Sequence, residues 1–368
     1  MLRVAITGLF GGVLAVLFVA DGRASLHHPD SVVSAMISVD DAGAPEPYPF
    51  EEFKRRRLVL RNIGNPDWKL EAEDPVTKAK IIDPKTGKPQ LTERGIVAAR
   101  IKLAQGKRAD RRTVDENVTL AIDLLRFGRA DEAEGVLKGQ RSGFLPNITL
   151  AHIAATQGQW ARAFDYLDIA NEERVPPAIN PKSPKIAWQL KANRGPLLKL
   201  VKLRLAETHG PKLQPENELP DQLWPVNFVN DAGVYEPGKL AAAEKAKLPG
   251  GDFPEAIATV QQLVLWFPYD VRLYWLLGEL YAAQGDVKAA QEVMDECVNS
   301  GRYSNRKMLM THREAVMKAA SVEPAPPPEP PSPVPFTISA IWWYFGAVGA
   351  LALFALVRAV LKKGKSAG

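Results

Sequence analysis

The feature that most constrains the fold is a spacing of small and aromatic residues in residues 273–290, LYWLLGELYAAQGDVKAA. The stretch reads as two helices separated by Gly285, yet Gly278 lies inside the first of them. A glycine within a helix costs about 1 kcal/mol relative to alanine, so its presence here indicates that a larger residue would clash with a neighbour. We therefore expect the two helices to cross closely, with Gly278 and Ala290 at the contact.

This spacing resembles the tetratricopeptide (TPR) repeat, a unit of about 34 residues made of two helices. The repeat signature is an aromatic residue, a Leu-Gly pair, a tyrosine, a glycine at the turn and an alanine on the second helix. In residues 271–304 these positions are Tyr274, Leu277, Gly278, Tyr281, Gly285 and Ala290. The preceding unit fills equivalent offsets with Gly251, Ala256, Val260, Leu263 and Pro268.

Two earlier units, residues 114–143 and 145–174, follow the pattern less closely, because asparagines stand where an aromatic residue opens the repeat. Their small packing positions are Ala121, Gly128 and Ala133 in the first unit, and Ala151, Gly158 and Ala163 in the second. Thr113 and Glu116 form a capping-box pattern that marks the start of the first helix.

The resemblance implies an all-α fold, a TPR-like helical-repeat solenoid over residues 92–320 with an irregular insert near 175–236. A helix over 92–106 is expected to precede the repeats, and Ser304 is expected to cap a terminal helix that ends near Ala320. Residues 25–91 carry no clear pattern, apart from a basic cluster at 54–57 that we interpret as the solvated face of an amphipathic helix.

The N-terminal residues 1–24 have the order of a secretory signal peptide: Arg3, an uncharged apolar run, and small residues before Ser25. An uncleaved membrane anchor is the alternative, because the apolar run is slightly long and contains three glycines.

The C-terminal end predicts a membrane anchor. Residues 336–357 contain no charge, and about 22 residues at about 1.5 Å each span roughly 33 Å, enough to cross a bilayer core of about 30 Å. The tail, residues 358–368, is basic, so the positive-inside rule places it in the cytoplasm and the rest of the chain outside. Residues 321–335 are rich in proline and are interpreted as an extended stalk.

Charge and cysteine content exclude several classes of function. The net charge of +5 comes from Arg3 and four basic residues in the tail, so the remainder is neutral and does not predict a nucleic-acid partner. The single cysteine, Cys297, allows no internal disulfide, and the five histidines are not spaced as a zinc site. No phosphate loop or catalytic motif is present, so we expect no cofactor, no metal, no small-molecule substrate and no enzyme activity.

The resulting prediction is a membrane-anchored scaffold of a bacterial periplasm, single-pass, or two-pass if the N-terminal segment is uncleaved. It is expected to bind a protein or peptide on its extracytoplasmic side. The TPR resemblance implies a concave partner-binding face on the first helix of each repeat. Its residues would be Val118, Ile122, Leu125, Ile148, His152, Ala155, Arg272, Trp275, Glu279 and Ala282. Of these, His152, Arg272, Trp275 and Glu279 are the candidate contacts, and Trp275 is the main one. The alternative for Trp275 is that it packs under the irregular insert.

Two alternatives remain open at this point. The chain could be a tail-anchored TPR co-receptor that faces the cytoplasm. It could also be an envelope-assembly factor or an enzyme whose site lies in residues 25–110 or 171–236.

Overall fold

The computed structural model describes residues 38–41, 43–140, 142–175, 184–209, 220–300 and 305–321. The expected signal peptide (1–24), most of the proline-rich stalk (321–335), the apolar span (336–357) and the basic tail (358–368) lie outside these residues. Within the described ranges, no helix is both long and apolar enough to cross a membrane. The described residues are mainly helical, which confirms the all-α prediction at that level.

The N-terminal part of the described chain contains more structure than the sequence indicates. Two short antiparallel strands pair Ser38 with Glu46, and helices α1 and α2 follow on either side of a β-ribbon. The elements are β1 (Ser38–Val39), β2 (Pro45–Glu46), α1 (Phe50–Ile63) and α2 (Glu93–Gly106). The helix predicted over 92–106 is therefore confirmed, with Thr92 as its N-cap.

The β-ribbon, residues 69–92, consists of three short extended stretches joined by isolated β-bridges, and each stretch pairs with the other two. Ala72 donates its N–H to Gln90, Ile81 donates to Ala72, and Gln90 donates to Ile81, all at 2.8 or 2.9 Å. The ribbon lies against the first turn of α2, where Thr92 donates its hydroxyl to the Lys69 carbonyl.

Next come two helical hairpins at the positions of the first two predicted units. They are α3 (Val114–Arg126) with α4 (Ala130–Leu137), and α5 (Phe144–Thr156) with α6 (Trp160–Glu172). Within each hairpin the helices pack together, and α5 also contacts α3 and α4. The capping box predicted at Thr113 and Glu116 is present.

The C-terminal half begins with an interrupted pair, in which a π turn at Asn193–Leu197 separates two helices. The helices are α7 (Pro184–Ala192), α8 (Leu198–His209), α9 (Ala242–Lys245), α10 (Phe253–Trp266), α11 (Val271–Gln284), α12 (Val287–Ser300) and α13 (Arg306–Ala320). Ahead of α10 lies only the short helix α9, which has four residues. The terminal helix is present, but the side chain that caps it is Asn305, which accepts from the Met308 N–H at 3.1 Å.

The close crossing at Gly278 is confirmed, with a different partner. A methyl group added at Gly278 would lie 3.0 Å from Val293 Cγ1 and 3.4 Å from Met294 Cγ on α12. Ala290 is buried, but Val293 and Met294 are the atoms that press on the glycine. Gly278 therefore lies where α12 leaves little room, so that even a methyl group would require Val293 to move slightly.

The other predicted packing positions are buried or lie at the turns between helices. The alanines, the two tyrosines and Leu277 are buried: Ala121, Ala133, Ala151, Ala163, Tyr274, Leu277, Tyr281 and Ala290. The glycines at the hairpin turns, Gly128, Gly158 and Gly285, have φ of 83°, 73° and 98°, a conformation that favours glycine.

Candidate functional site

The predicted partner-binding face is covered by other parts of the chain. Trp275 and Glu279 on α11 are buried, as are Val118, Ile122, Ile148, His152, Ala155 and Ala282. These side chains therefore do not form an open groove, and of the two alternatives for Trp275 the buried one holds. The reason is visible at α11. The insert crosses it, with the Gly238 N–H donating to the Ala282 carbonyl at 2.8 Å, and the side chain of His312 on α13 reaches Glu279.

Glu279 is instead the centre of a buried polar cluster. Its Oε1 accepts from Trp275 Nε1 at 2.6 Å and lies 2.8 Å from His312 Nδ1. Tyr235, from the insert, stacks on His312 with ring centroids 3.7 Å apart. Burial, together with the Glu279 carboxylate, raises the pKa of the Tyr235 hydroxyl far above its usual value. The cluster joins α11, α13 and the insert, so its evident role is to fix these segments together.

His152 and Arg272 belong to two further contacts. His152 is buried on α5, where Nε2 lies 3.3 Å from Asn193 Oδ1 and the ring packs edge-on against Trp266. Arg272 is half-buried and donates to Glu207 at 2.8 Å. The structure therefore divides the four candidate contacts among three separate places.

Arg272 lies beside an ion-pair network that secures the insert. Arg204 on α8 is buried and pairs with Asp221 and, at 3.4 Å, with Asp270, the N-cap of α11. Burial opposes the charge, but the two carboxylates hold the pKa of Arg204 above its usual range. A charge taken out of water in this way requires its partners. Removing Asp221 would leave Arg204 with only its longer pairs to Asp270 and Glu207, at 3.4 and 3.5 Å.

The basic residues of α1 form ion pairs with acidic residues of α12. Lys54 pairs with Glu292 at 2.7 Å, and Arg57 and Arg61 both pair with Glu296, at 2.8 and 2.6 Å. The α1 helix is confirmed, but the interpretation of a solvated face is wrong for Arg57, which is buried and stacks over Tyr274 at 3.5 Å. The cluster is thus a docking contact of α1.

An open concave surface lies along α2, and we call it the α2 groove. Its larger part is an open cleft of about 500 Å³ between α2 and the ribbon, and a smaller part of about 240 Å³ adjoins it toward Phe127. Both parts share Ala98 and Lys102. The lining residues of the larger part are Lys69, Leu70, Glu71, Glu73, Leu91, Gly95, Ala98, Ala99 and Lys102.

Local contacts explain why the α2 groove has this shape. A methyl group at Gly95 would lie 1.9 Å from the Leu70 carbonyl oxygen, so the glycine lets the ribbon strand approach α2 closely. Arg94, on the other side of α2, donates to the carbonyls of Ile63 and Trp68 at 3.2 and 3.0 Å. The helix is thereby held while the face with Ala98, Ala99 and Lys102 stays open.

Exposed apolar side chains border the α2 groove. Leu103 is 66% exposed and Ile96 is 45% exposed, and both are neighbours of Ala99 on the helix surface because they are four and three residues away. Leu70 and Leu91 on the ribbon are also exposed. Within the described residues, Glu71 and Glu73 pair with Lys80 and Lys69, whereas Lys102 has no acidic partner.

Sequence analysis missed this surface, although a signal for the ribbon was present. The segments DPVTK (74–78) and DPKTG (83–87) repeat after nine residues. In both, the aspartate side chain accepts from a backbone N–H two residues later, at 2.9 and 2.8 Å. Lys78 and Gly87 occupy the same place in the two turns and have φ of 59° and 65°. A short repeat with Asp-Pro turns indicates consecutive hairpins.

The segment that precedes α1 is hydrogen-bonded to α10. We call residues 43–49, GAPEPYP, the arm. Gln261 on α10 is buried and bonds to both backbone groups of Tyr48 in the arm: its Oε1 accepts from the N–H at 2.8 Å, and its Nε2 donates to the carbonyl at 3.0 Å.

Comparison with known proteins adds no family to these observations. No family model matches the chain, no curated protein matches it, and no solved structure matches it. Among the described residues, no group of three or more His, Cys, Asp or Glu side chains is placed to hold a metal ion.

Proposed function

We propose that the chain is a TPR-type scaffold that binds a segment of a partner protein in the α2 groove. The single observation that supports this is the open, apolar groove itself, bordered by Leu103 and Ile96 on a helix that the rest of the domain holds in place. Exposed apolar patches rimmed by polar groups are typical of protein interaction sites.

The lining defines the partner's chemistry. Ala98, Ala99, Leu70 and Leu91 would receive apolar side chains. Lys102, which has no acidic partner among the described residues, would receive a carboxylate. We therefore expect a short segment with two or three apolar residues next to an aspartate or glutamate. The two acids of the cleft are held by lysines, which favours binding over acid–base chemistry at this place.

The test places a photo-crosslinking residue at Ala99 of the full-length chain in its native cells. The matched probe stands at Leu58, an exposed side chain on α1 outside the groove. We expect one protein adduct at position 99 that is absent at 58 and is lost when Lys102→Glu is added.

A peptide with the crosslinked sequence should then bind the purified chain, and Leu103→Asp should weaken that binding at least tenfold. Leu58→Asp should leave the affinity unchanged. Equal adducts at both probe positions, or an affinity that Leu103→Asp does not alter, would refute the assignment.

We also propose that residues 336–357 anchor the chain with its bulk outside the cytoplasm, on the basis of the basic tail that follows them. In spheroplasts, a tag after Gly368 should be shielded while added protease digests residues 92–320. An accessible tag with a protected domain would reverse the orientation and favour the cytoplasm-facing co-receptor.

A further inference from the structure

The two hydrogen bonds between the Gln261 side chain and the arm recognise the main chain of the arm. A buried carboxamide is costly unless its donor and acceptor are satisfied. Gln261 satisfies its acceptor with the Tyr48 N–H, and its donors with the Tyr48 carbonyl and the Tyr281 hydroxyl, at 3.0 and 2.8 Å. Because two of these three bonds go to a main chain, they accept any residue that places an N–H and a C=O at that point.

The arm presents its main chain because of its prolines. Pro45, Pro47 and Pro49 alternate with other residues, so the arm stays extended and only every second residue can donate an N–H. The Ala44 N–H donates to Asp40 Oδ1 at 2.8 Å, and the Tyr48 N–H donates to Gln261 Oε1.

Side chains along the arm add shape to this contact. Pro45 is buried and β2 packs against α10, while Arg56 lies 4.4 Å over the Tyr48 ring. Phe50, directly after the arm, packs edge-on against Tyr281 at 5.6 Å. The pattern that fits is therefore an extended segment of the form Pro-x-Pro-aromatic-Pro-aromatic.

We propose that this surface of α10 and α11 is a second peptide-binding site, which the arm fills in cis and a proline-alternating segment of a partner protein fills when the arm is displaced. The arm is the template for that partner, since it shows which chemistry the site accepts. The site uses different residues from the α2 groove, so it does not depend on the function proposed there.

The experiment measures binding of a labelled peptide, GAPEPYPF, to the full-length chain by fluorescence anisotropy. In the wild type the attached arm competes at an effective concentration of the order of millimolar, so binding should be weak. A double variant of the arm, Pro45→Gly with Tyr48→Pro, loses the buried proline and the N–H given to Gln261. It should bind the peptide at least tenfold more tightly than the wild type.

Two controls keep the test specific. Adding Gln261→Leu to the arm variant should reduce the affinity at least tenfold, and circular dichroism will show whether that protein is still folded. If it is not folded, the control peptide GAPEPPPF decides instead, because it lacks the N–H that Gln261 accepts and should bind at least tenfold more weakly than GAPEPYPF.

Equal affinity of GAPEPYPF for the wild type and the arm variant would overturn the proposal. So would equal affinity of the two peptides for the arm variant. Gel filtration tests whether the site is instead filled by the arm of a second copy of the chain. A wild-type dimer that the peptide dissociates would assign the site to that arm and would overturn the proposal of a separate partner.

Discussion

Replacing Gly278 tests the packing of the last predicted repeat. An alanine there would gain about 1 kcal/mol of helix propensity, but its methyl would lie 3.0 Å from Val293 Cγ1, which must move by a few tenths of an ångström. We expect these effects nearly to cancel, so that Gly278→Ala stays within about 1 kcal/mol of the wild type.

Gly278→Leu brings three further carbons into space that Val293 and Met294 fill completely. Both side chains are buried, so neither can turn out to solvent. Overpacking of this kind costs about 1–3 kcal/mol, and we expect a loss of stability in that range. In a Val293→Ala background the loss should shrink by at least about 0.5 kcal/mol, because the methyl that causes the conflict is gone.

Urea unfolding followed by circular dichroism gives these differences, with Gln284→Leu as the control on the exposed end of the same helix. Gln284→Leu should change stability by less than about 0.5 kcal/mol. A Gly278→Leu protein that unfolds at the wild-type urea concentration would show that the helices do not cross closely, and the repeat interpretation of this segment would fail.

Three other substitutions test separate contacts. Gly95→Ala should loosen the ribbon, because its methyl would lie 1.9 Å from the Leu70 carbonyl oxygen. Amide hydrogen exchange in the ribbon should then be at least tenfold faster, and unchanged protection from exchange would contradict this. Glu279→Leu should cost about 1–3 kcal/mol, because the buried Trp275 indole loses its acceptor, and a wild-type urea midpoint would argue against it. Burial raises the pKa of Glu296, but the charge of Arg57 outweighs this and brings the pKa below the ordinary 4.5. The contribution of the Glu296 carboxylate to folding stability is therefore present above pH 4.5 and is lost as the pH falls further. Glu296→Gln should therefore flatten the loss of stability between about pH 5 and 3, and parallel pH curves for the two proteins would refute the assignment.

The parts of the fold that the sequence predicts are those encoded by local spacing. The helix at 92–106, the first hairpins and the turn at Gly285 all follow from residues within one or two helical turns of each other. The partner at Gly278 was predicted less well, because Ala290 and Val293 lie one helical turn apart on α12 and either could meet the glycine.

The candidate site could not be predicted in the same way, because exposure depends on distant segments. Trp275 and Glu279 have the positions of groove residues, but Tyr235 and His312, from the insert and the terminal helix, cover them. Helical periodicity identifies a face of a helix and contains no information about which distant segment packs on it.

Polar anchors explain how the irregular segments come to occupy those faces. Gln261 holds the arm, Arg94 holds the chain between α1 and the ribbon, Glu296 holds α1, and Glu279 joins the insert to the terminal helix. Each anchor is a buried or half-buried group whose bonds would be lost if its segment left, so each segment is fixed in one register by directional contacts. The outer face of α2 at Lys102 has no such segment on it in the described chain, although its apolar border resembles the covered faces. This surface, which the described residues leave open, is where we propose that a segment from another protein binds. Binding at the α2 groove and exchange at the arm are therefore the two experiments with most bearing on function.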